Sequence, residues 1–548
     1  MLTALIAAHL IFSPVHLATS PVVASYAQAE SSEARWLKRT QENPTDPHNW
    51  LQLGKARYDA KKFAEAIPAL EKADELGVSY PWDMPYFIAC CYALDGKKDL
   101  ALSNLEKAIN AGFRDLHQAQ TDDDFKSLRG EKKYHELVGD EDVSHLSKAD
   151  GWRYDLRFFM RELHRLDFRY IHSRDTKLDE MAARLEADIP NLTDEQITLE
   201  FMKIGAAAGD GHTHIRPGRP AAVLPVRFFA FPDGLYIHAT APDHADLLGA
   251  KVIAMNGHPM DEIWPKVADL VGRENSQWLR VQAPEYFQRP WTLNAMGFGA
   301  GNKVTLTIEQ NGAKKDVSLE AAMSGQDSTH SHKDGKAVAP PKDEWILLRS
   351  KAPETPLTFK KREKLYWYEY LPDTKTVYFQ FNGVQNQEKG PSIKAFSEEM
   401  FKFIDSHDVD RLIVDTRWNG GGNNFLNKPL LLGLIKSKVN ENGKLFVITG
   451  QFTFSAAQCF VSQVERFTNA IFAGEPTGSS PNFAGESIPF SLPYSHMSGT
   501  ISDLYWQNSV AMDHRVWISP KIYVPYTFES YRTGKDPVID AILAYKPD

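Results

Sequence analysis

From Lys375 to Gly478 the chain alternates strand-like and helix-like patterns without interruption, and that run limits the folds open to it. In order it reads strand KTVYFQFNG, helix IKAFSEEMFKFIDSH, strand DRLIVDTR, a glycine turn and a helix. Strand KLFVITG, a helix opened by FSAAQCF, and strand AIFAGEPTG complete it. Strands separated by helices pair in parallel through crossovers, so the run predicts a mostly parallel sheet covered by helices. Chemistry on such sheets gathers beyond the carboxyl ends of the strands. Two segments fall there: DTRWNGGGN, with Gly420, Gly421 and Gly422, and GQFTFSAAQCF, with Ser455.

Phe460, Val464 and Phe467 share one helical face, which predicts a helix beginning near Ser455. The first N–H groups of a helix lack intrahelical partners and carry positive partial charge. Ser455 can therefore cap the helix, or be a nucleophile held beside donors that stabilise an oxyanion. The glycines of the turn let backbone amides come close to a substrate, or simply make a tight turn. A phosphate loop is excluded because its Lys-Ser/Thr is missing. Far upstream, GDGHTHIRPGR offers His212 and His214. Histidine suits the role of base to a serine. Two histidines at this spacing also fit metal ligation, but no third-ligand motif accompanies them.

At 548 residues, 43% apolar, the chain is long enough for three or four domains with proper cores. A net charge of −9 with no long single-sign run argues against nucleic acid as the main partner. Residues 1–29 carry no Lys, Arg, Asp or Glu and end in Ala27-Gln28-Ala29, a pattern that predicts a signal peptide and an exported, periplasmic or secreted chain. No other stretch approaches the length of a membrane span. Cys90 and Cys91 are adjacent, and Cys459 sits on the helix after Ser455 as a small buried hydrophobe, so no disulfide framework is expected. Residues 47–77 and 82–112 read as two helical hairpins in which Ala66 and Ala73 recur as Ala101 and Ala108, a tetratricopeptide-like pattern suited to protein contact. The stretch GLYIHATAPDHADLLGAKVIAMNGHPMDEIWPKVADLV, with NKVTLTIEQNGAKKDVSL, reads as strands, a helix and a hairpin, and LLGAKVIAMNGHPM resembles the centre of a PDZ domain. Residues 322–345 read as an exposed loop, in which His330 and His332 are solvated rather than metal-bound.

Taken together, GDGHT, DTRWNGGGN, TFSAAQCFV and GEPTGSSPN resemble the C-terminal processing (tail-specific) protease family, on its tricorn-like branch, over residues 150–548. The resemblance implies a serine endopeptidase acting on protein or peptide substrates, with no metal or organic cofactor. With the leader and repeats read above, the chain divides into a signal peptide (1–29) and a tetratricopeptide-like module (30–145), and the resemblance implies for the rest a helical lead-in (146–220), a PDZ-like β domain (221–321), a linker (322–360) and an α/β crotonase-like, ClpP/crotonase-type catalytic domain (361–548). Ser455 matches the nucleophile. The Ala456 N–H and one from the Gly420–Gly421 turn match the oxyanion hole. The lysine of the family's serine–lysine dyad is missing, since Pro476, Ser479 and Ser480 stand in that segment, so His212 matches the base. Asp513 is expected to orient His212, with Glu486 and Asp210 as rivals, and Gly211 stands where the tricorn-like branch has a supporting serine. The alternative is a catalytically inactive binding or scaffold protein on the same fold.

Overall fold

The computed structural model describes residues 31–173, 176–218, 221–323 and 345–547; the expected leader and the pair His330 and His332 lie outside the described residues. The chain forms two units that divide between His145 and Leu146.

The first unit is helical. Helices Pro47–Asp59 and Phe63–Glu75 form one hairpin, Asp83–Leu94 and Lys98–Asn110 a second, and Ser32–Glu42 precedes them. Small residues at fixed positions allow the close packing: a Cβ at Gly54 would lie 2.5 Å from the Leu70 side chain. Ala66, Leu70 and Ala73 are fully buried, and so are Ala101, Leu105 and Ala108 at the matching positions of the second hairpin. Phe125, Tyr134 and Val138, from the helical tail, complete the core begun by Tyr86 and Ala89.

The second unit opens with helices Lys148–Leu166, Lys177–Asp188 and Asp194–Ala207; Thr193 and Gln196 form a capping box at the start of the third. A short strand, β1 (His214–Arg216), follows the GDGHT loop. An antiparallel sheet comes next, built mainly from strands Val226–Phe231, Gly234–Thr240, Lys251–Met255, Lys303–Gln310 and Ala313–Glu320. Two of its turns are Asn-Gly pairs with both residues at positive φ, 50° and 82° at Asn256–Gly257 and 52° and 77° at Asn311–Gly312, the conformation that matches hairpin twist. Helices Met260–Ala268 and Ser276–Phe287 share its core.

The alternating run forms a six-stranded sheet of β2 (Tyr366–Leu371), β3 (Thr376–Phe381), β4 (Arg411–Asp415), β5 (Leu445–Thr449), β6 (Ile471–Gly474) and, nearer the C-terminus, Ile522–Tyr523. All neighbours pair in parallel except β2, which runs antiparallel to β3. Successive side chains alternate faces. Leu412, Val414, Leu445 and Val447 pack with helices Ile393–Ser406, Lys428–Lys436 and Ala456–Phe467. Ile413, Phe446 and Ile448 pack with helix Pro537–Ala544 on the other side. The helix after Ser455 has the expected buried face at Phe460 and Val464, but Phe467, placed on that face by its spacing, is half exposed at the helix end. A third sheet joins β1 to a long hairpin, β7 (Asn482–Ser491) and β8 (Ser498–Gln507), in the order β1-β8-β7. The molecule is thus a multi-unit α+β protein with an N-terminal helical region. Among the described residues no helix is long and apolar enough to cross a membrane.

Candidate active site

Strand β5 ends at Thr449, and the chain turns sharply into helix Ala456–Phe467 with Ser455 at the corner. Ser455 has φ 54° and ψ −125°. Such a backbone costs a non-glycine residue about 1–3 kcal/mol and persists where its surroundings impose it. Here they do. The Thr453 hydroxyl donates to the Thr416 carbonyl at 3.0 Å, and the Phe454 N–H donates to the Asn419 carbonyl at 3.1 Å, so the turns after β4 and β5 are stitched together. Ser455 occupies the N-cap position, yet its side chain makes no capping hydrogen bond. Its Oγ lies 3.0 Å from His212 Nε2 instead, across 243 residues of sequence.

His212 is 8% exposed, and its ring stacks with two aromatic rings. Phe454 stacks at 4.5 Å between centroids and Phe483 at 5.6 Å, and Trp278 stacks in turn on Phe454 at 3.7 Å. This stack accounts for Gly211, since a Cβ there would meet the Phe454 ring at 2.6 Å. Burial pushes His212 down to about 4, against an opposing pull from the Asp210 carboxylate. Nδ1 is buried and makes no hydrogen bond among the described residues; the Ala484 backbone lies close enough to favour the protonated ring without meeting hydrogen-bond geometry.

The glycine turn lies against the serine. A Cβ at Gly421, where φ is 107°, would sit 2.7 Å from Ser455 Cβ and 2.9 Å from Ala456 N. The Gly421 N–H itself is taken by Asn419 Oδ1 at 3.0 Å, so the expectation that it could serve as an oxyanion donor is corrected. The N–H groups of Ala456, first in its helix, and Gly420 have no hydrogen-bond acceptor among the described residues, and both residues line the groove over Ser455.

Asp513 is also placed elsewhere than expected. Both its oxygens accept from Arg515, at 2.8–3.2 Å, and Arg515 also bonds Glu465. The nearby guanidinium holds the Asp513 carboxyl well below the usual range, and no hydrogen bond joins it to His212. Glu486 lines the groove from within β7, with φ 67°, and likewise makes no bond to His212. Asp210, the third candidate, holds the histidine loop: its Oδ1 accepts from the His212 and Thr213 N–H groups, both at 2.7 Å. In the segment expected to lack the dyad lysine, Ser480 Oγ donates to the Val516 carbonyl, and a Cβ at Gly478 would meet the Gln451 carbonyl at 2.3 Å. His214 Nδ1 pairs with the Thr500 hydroxyl at 3.0 Å. Among the described residues the group of His, Cys, Asp and Glu side chains near enough to hold a metal is Cys90, Asp122 and Asp124 in the first unit, so His212 and His214 find no third ligand.

The groove over Ser455 encloses about 880 Å³. Trp278, Phe483, Trp506 and Phe425 give it apolar walls, Arg216, Arg289, Glu285 and Glu486 give it charge, and among the described residues no lysine lines it. Phe454, Phe483 and Trp278 have no distinguishing signal in the sequence. The one available hint was that Phe454 directly precedes Ser455.

No protein-family profile and no curated protein sequence matches the chain. Solved structures do. Mature CPAF in complex with lactacystin aligns over 72% of this chain and 98% of its own, with 12% identity and a TM-score of 0.52. The photosystem II D1 C-terminal processing protease covers 72% of this chain and 99% of its own at 11% identity, and the tricorn protease covers 73% of this chain and 36% of its own at 13%; both have a TM-score of 0.33. At such identities the likeness is one of fold: over nearly three quarters of its length this chain has the fold of mature CPAF.

Proposed function

We propose that the protein is an exported serine endopeptidase of the tail-specific type, with Ser455 as nucleophile and His212 as general base. One observation carries this reading: the Ser455 hydroxyl, at a helix N-terminus where capping is its ordinary use, is left uncapped and placed on His212 Nε2. As the Ser455 Oγ–carbon bond forms, His212 Nε2 takes the hydroxyl proton and the peptide carbonyl oxygen becomes an oxyanion. The Ala456 and Gly420 N–H groups face that oxygen. His212 then gives the proton to the leaving amine as the C–N bond breaks, leaving an acyl-enzyme on Ser455. Water attacks the acyl carbon, His212 takes its proton, and the acid is released as the proton returns to Ser455 Oγ. The groove suits an extended peptide. The antiparallel sheet at 226–320, as a PDZ-like domain, and the N-terminal hairpins, as a tetratricopeptide-like module, are the surfaces for substrate tails and protein partners.

A second reading, a binding protein built on this fold, is favoured by the unpartnered Nδ1 of His212. One experiment separates them: cleavage of a panel of unfolded proteins by the full chain beside Ser455→Ala and His212→Ala, with chelator present. Peptidase activity lost in both variants supports the first reading. A folded wild type that cleaves nothing and does not react with a fluorophosphonate supports the second.

A further inference from the structure

The proposed mechanism leaves His212 positively charged twice per cycle, in a buried site, with nothing among the described residues hydrogen-bonded to Nδ1. The ordinary arrangement places a carboxylate there, which fixes the ring and stabilises the imidazolium. Here these two tasks are separable. The ring plane is held by stacking with Phe454 and Phe483. A carboxylate is also present, but two residues upstream on the same loop.

Asp210 is fully buried. Its Oδ1 accepts from the His212 N–H and the Thr213 N–H, both at 2.7 Å, and from the Ser502 hydroxyl of β8 at 2.6 Å. Three donors on one oxygen stabilise negative charge. Its Oδ2 is buried and has no hydrogen-bond partner among the described residues. The loop is anchored on every side. Thr500 Oγ1 donates to the His212 carbonyl at 2.6 Å, and the Ser502 N–H donates to Thr213 Oγ1 at 3.0 Å. Gly272 packs so closely that a Cβ would lie 2.6 Å from the Asp210 carbonyl oxygen. The other charged or titratable groups facing this pair are Glu274, whose Oε1 accepts from the Gly211 N–H at 3.3 Å, Asp167, which accepts from Thr213 Oγ1 at 3.2 Å, Arg169 beside Gly209, and His214 with Arg216. Burial and the Asp210 charge push both Asp167 and Glu274 up. Of these carboxyls Asp210 is the one bonded to the backbone of His212 itself, and its Oδ1 carries three donors.

We propose that Asp210 is the positioning residue for His212, pinning its backbone and supplying through space the negative charge that balances the imidazolium, while Phe454 and Phe483 fix the ring plane. The inference rests on the serine-peptidase reading. It divides the duties of a triad acid between a loop carboxylate and an aromatic stack.

The test is the second-order rate of fluorophosphonate labelling of Ser455 in the full chain, measured against pH, for wild type, Ser455→Ala and Asp210→Asn. Asparagine keeps an acceptor oxygen for the loop amides and removes the charge. Asp210→Asn should lose roughly ten- to a hundredfold of the plateau rate, a share of what a general base contributes. Its acid limb should also move to lower pH, because a histidine without its counter-charge binds protons less well. A purely structural role would lower the melting temperature and leave the limb in place. If Asp210→Asn does not fold, Ser502→Ala carries the test. With that donor withdrawn, less of the Asp210 charge is taken up by hydrogen bonding and more of it acts on His212, which then holds its proton more tightly, so the acid limb should move up. Labelling of Asp210→Asn within about twofold of wild type and with the same profile, or an unmoved limb in Ser502→Ala, overturns the inference and leaves the peptidase reading standing. Wild type as unreactive as Ser455→Ala overturns both.

Discussion

The strain at Ser455 and the missing side chain at Gly421 are one feature seen from two residues. The corner that turns Ser455 toward His212 leaves room only for hydrogen at Gly421, 2.7 Å from Ser455 Cβ by the position a Cβ would take. Gly421→Ala should therefore displace Ser455 and the Ala456 N–H together. Fluorophosphonate labelling should fall by about 10²-fold or more, the scale of losing one oxyanion donor, and stability should fall by about 1–3 kcal/mol through forced strain at positive φ. Normal labelling in Gly421→Ala would show that the turn does not shape the site. A second residue-scale expectation concerns pH. His212 is pushed down from an ordinary 6.5 to about 4, so it stays neutral, and able to accept a proton, well below the range of an exposed histidine. Labelling should hold its plateau as pH falls through 6.5 and decline only as pH approaches about 4; a midpoint near 6.5 would place His212 in water. Ser455 and His212 were legible because residue type and local setting marked them. Asp513 was misread because Arg515, two residues on, claims both its oxygens, and proximity in sequence says nothing about which partner wins.

At the scale of elements, legibility followed periodicity. The strands and helices between Lys375 and Gly478 fold in the order read, because five-residue buried strands and amphipathic helices leave opposite signatures. The β7–β8 hairpin that carries Phe483 to the histidine was not anticipated. Four consecutive buried residues, Asn482 to Gly485, are followed by two exposed ones, Glu486 and Ser487, so its hydrophobic alternation breaks in the middle. The segment leading into helix Ser276–Phe287 backs the GDGHT loop in a similarly unmarked way, through Gly272 and Glu274. Burial first, then the Asp210 charge, push Glu274 up from 4.5 to about 7. The folded chain keeps this proton over a pH range in which the unfolded chain has lost it. The stability that the neutral carboxyl gives is thus full below about 4.5 and declines as pH rises to about 7. Glu274→Gln keeps an acceptor for the Gly211 N–H and never ionises. Its melting temperature should match wild type near pH 5 and exceed it at pH 8, by an amount equivalent to about 1–3 kcal/mol. An equal or lower melting temperature at pH 8 would mean that the carboxyl is ionised and satisfied in the fold.

The whole molecule brings together residues that no local rule connects. Ser455 and His212 are 243 positions apart, and the link between them is β1 pairing with β8, with His214 opposite Thr500. The sequence showed both motifs and their order, but that pairing depends on a hairpin whose pattern is broken, so the contact itself was not readable. The division into two units has a separate consequence. Each unit buries its own apolar residues: Ala66, Leu70 and Ala73 sit in one core of the first and Ala101, Leu105 and Ala108 in a second, and the two faces of the six-stranded sheet form cores in the second unit. A chain with its own closed core folds without its neighbour. Every group placed at the candidate site, from Asp167 to Ser502, belongs to the second unit. Residues 146–548 expressed alone should therefore melt cooperatively and label at Ser455 within about twofold of the full chain, since a small reagent needs only the local chemistry. Cleavage of protein substrates tests a different property of the same truncated chain. If the helical hairpins recruit substrate, the truncated chain should lose protein cleavage through a raised KM while kcat and labelling hold. Loss of labelling in a folded 146–548 chain would overturn the independence of the site from the first unit.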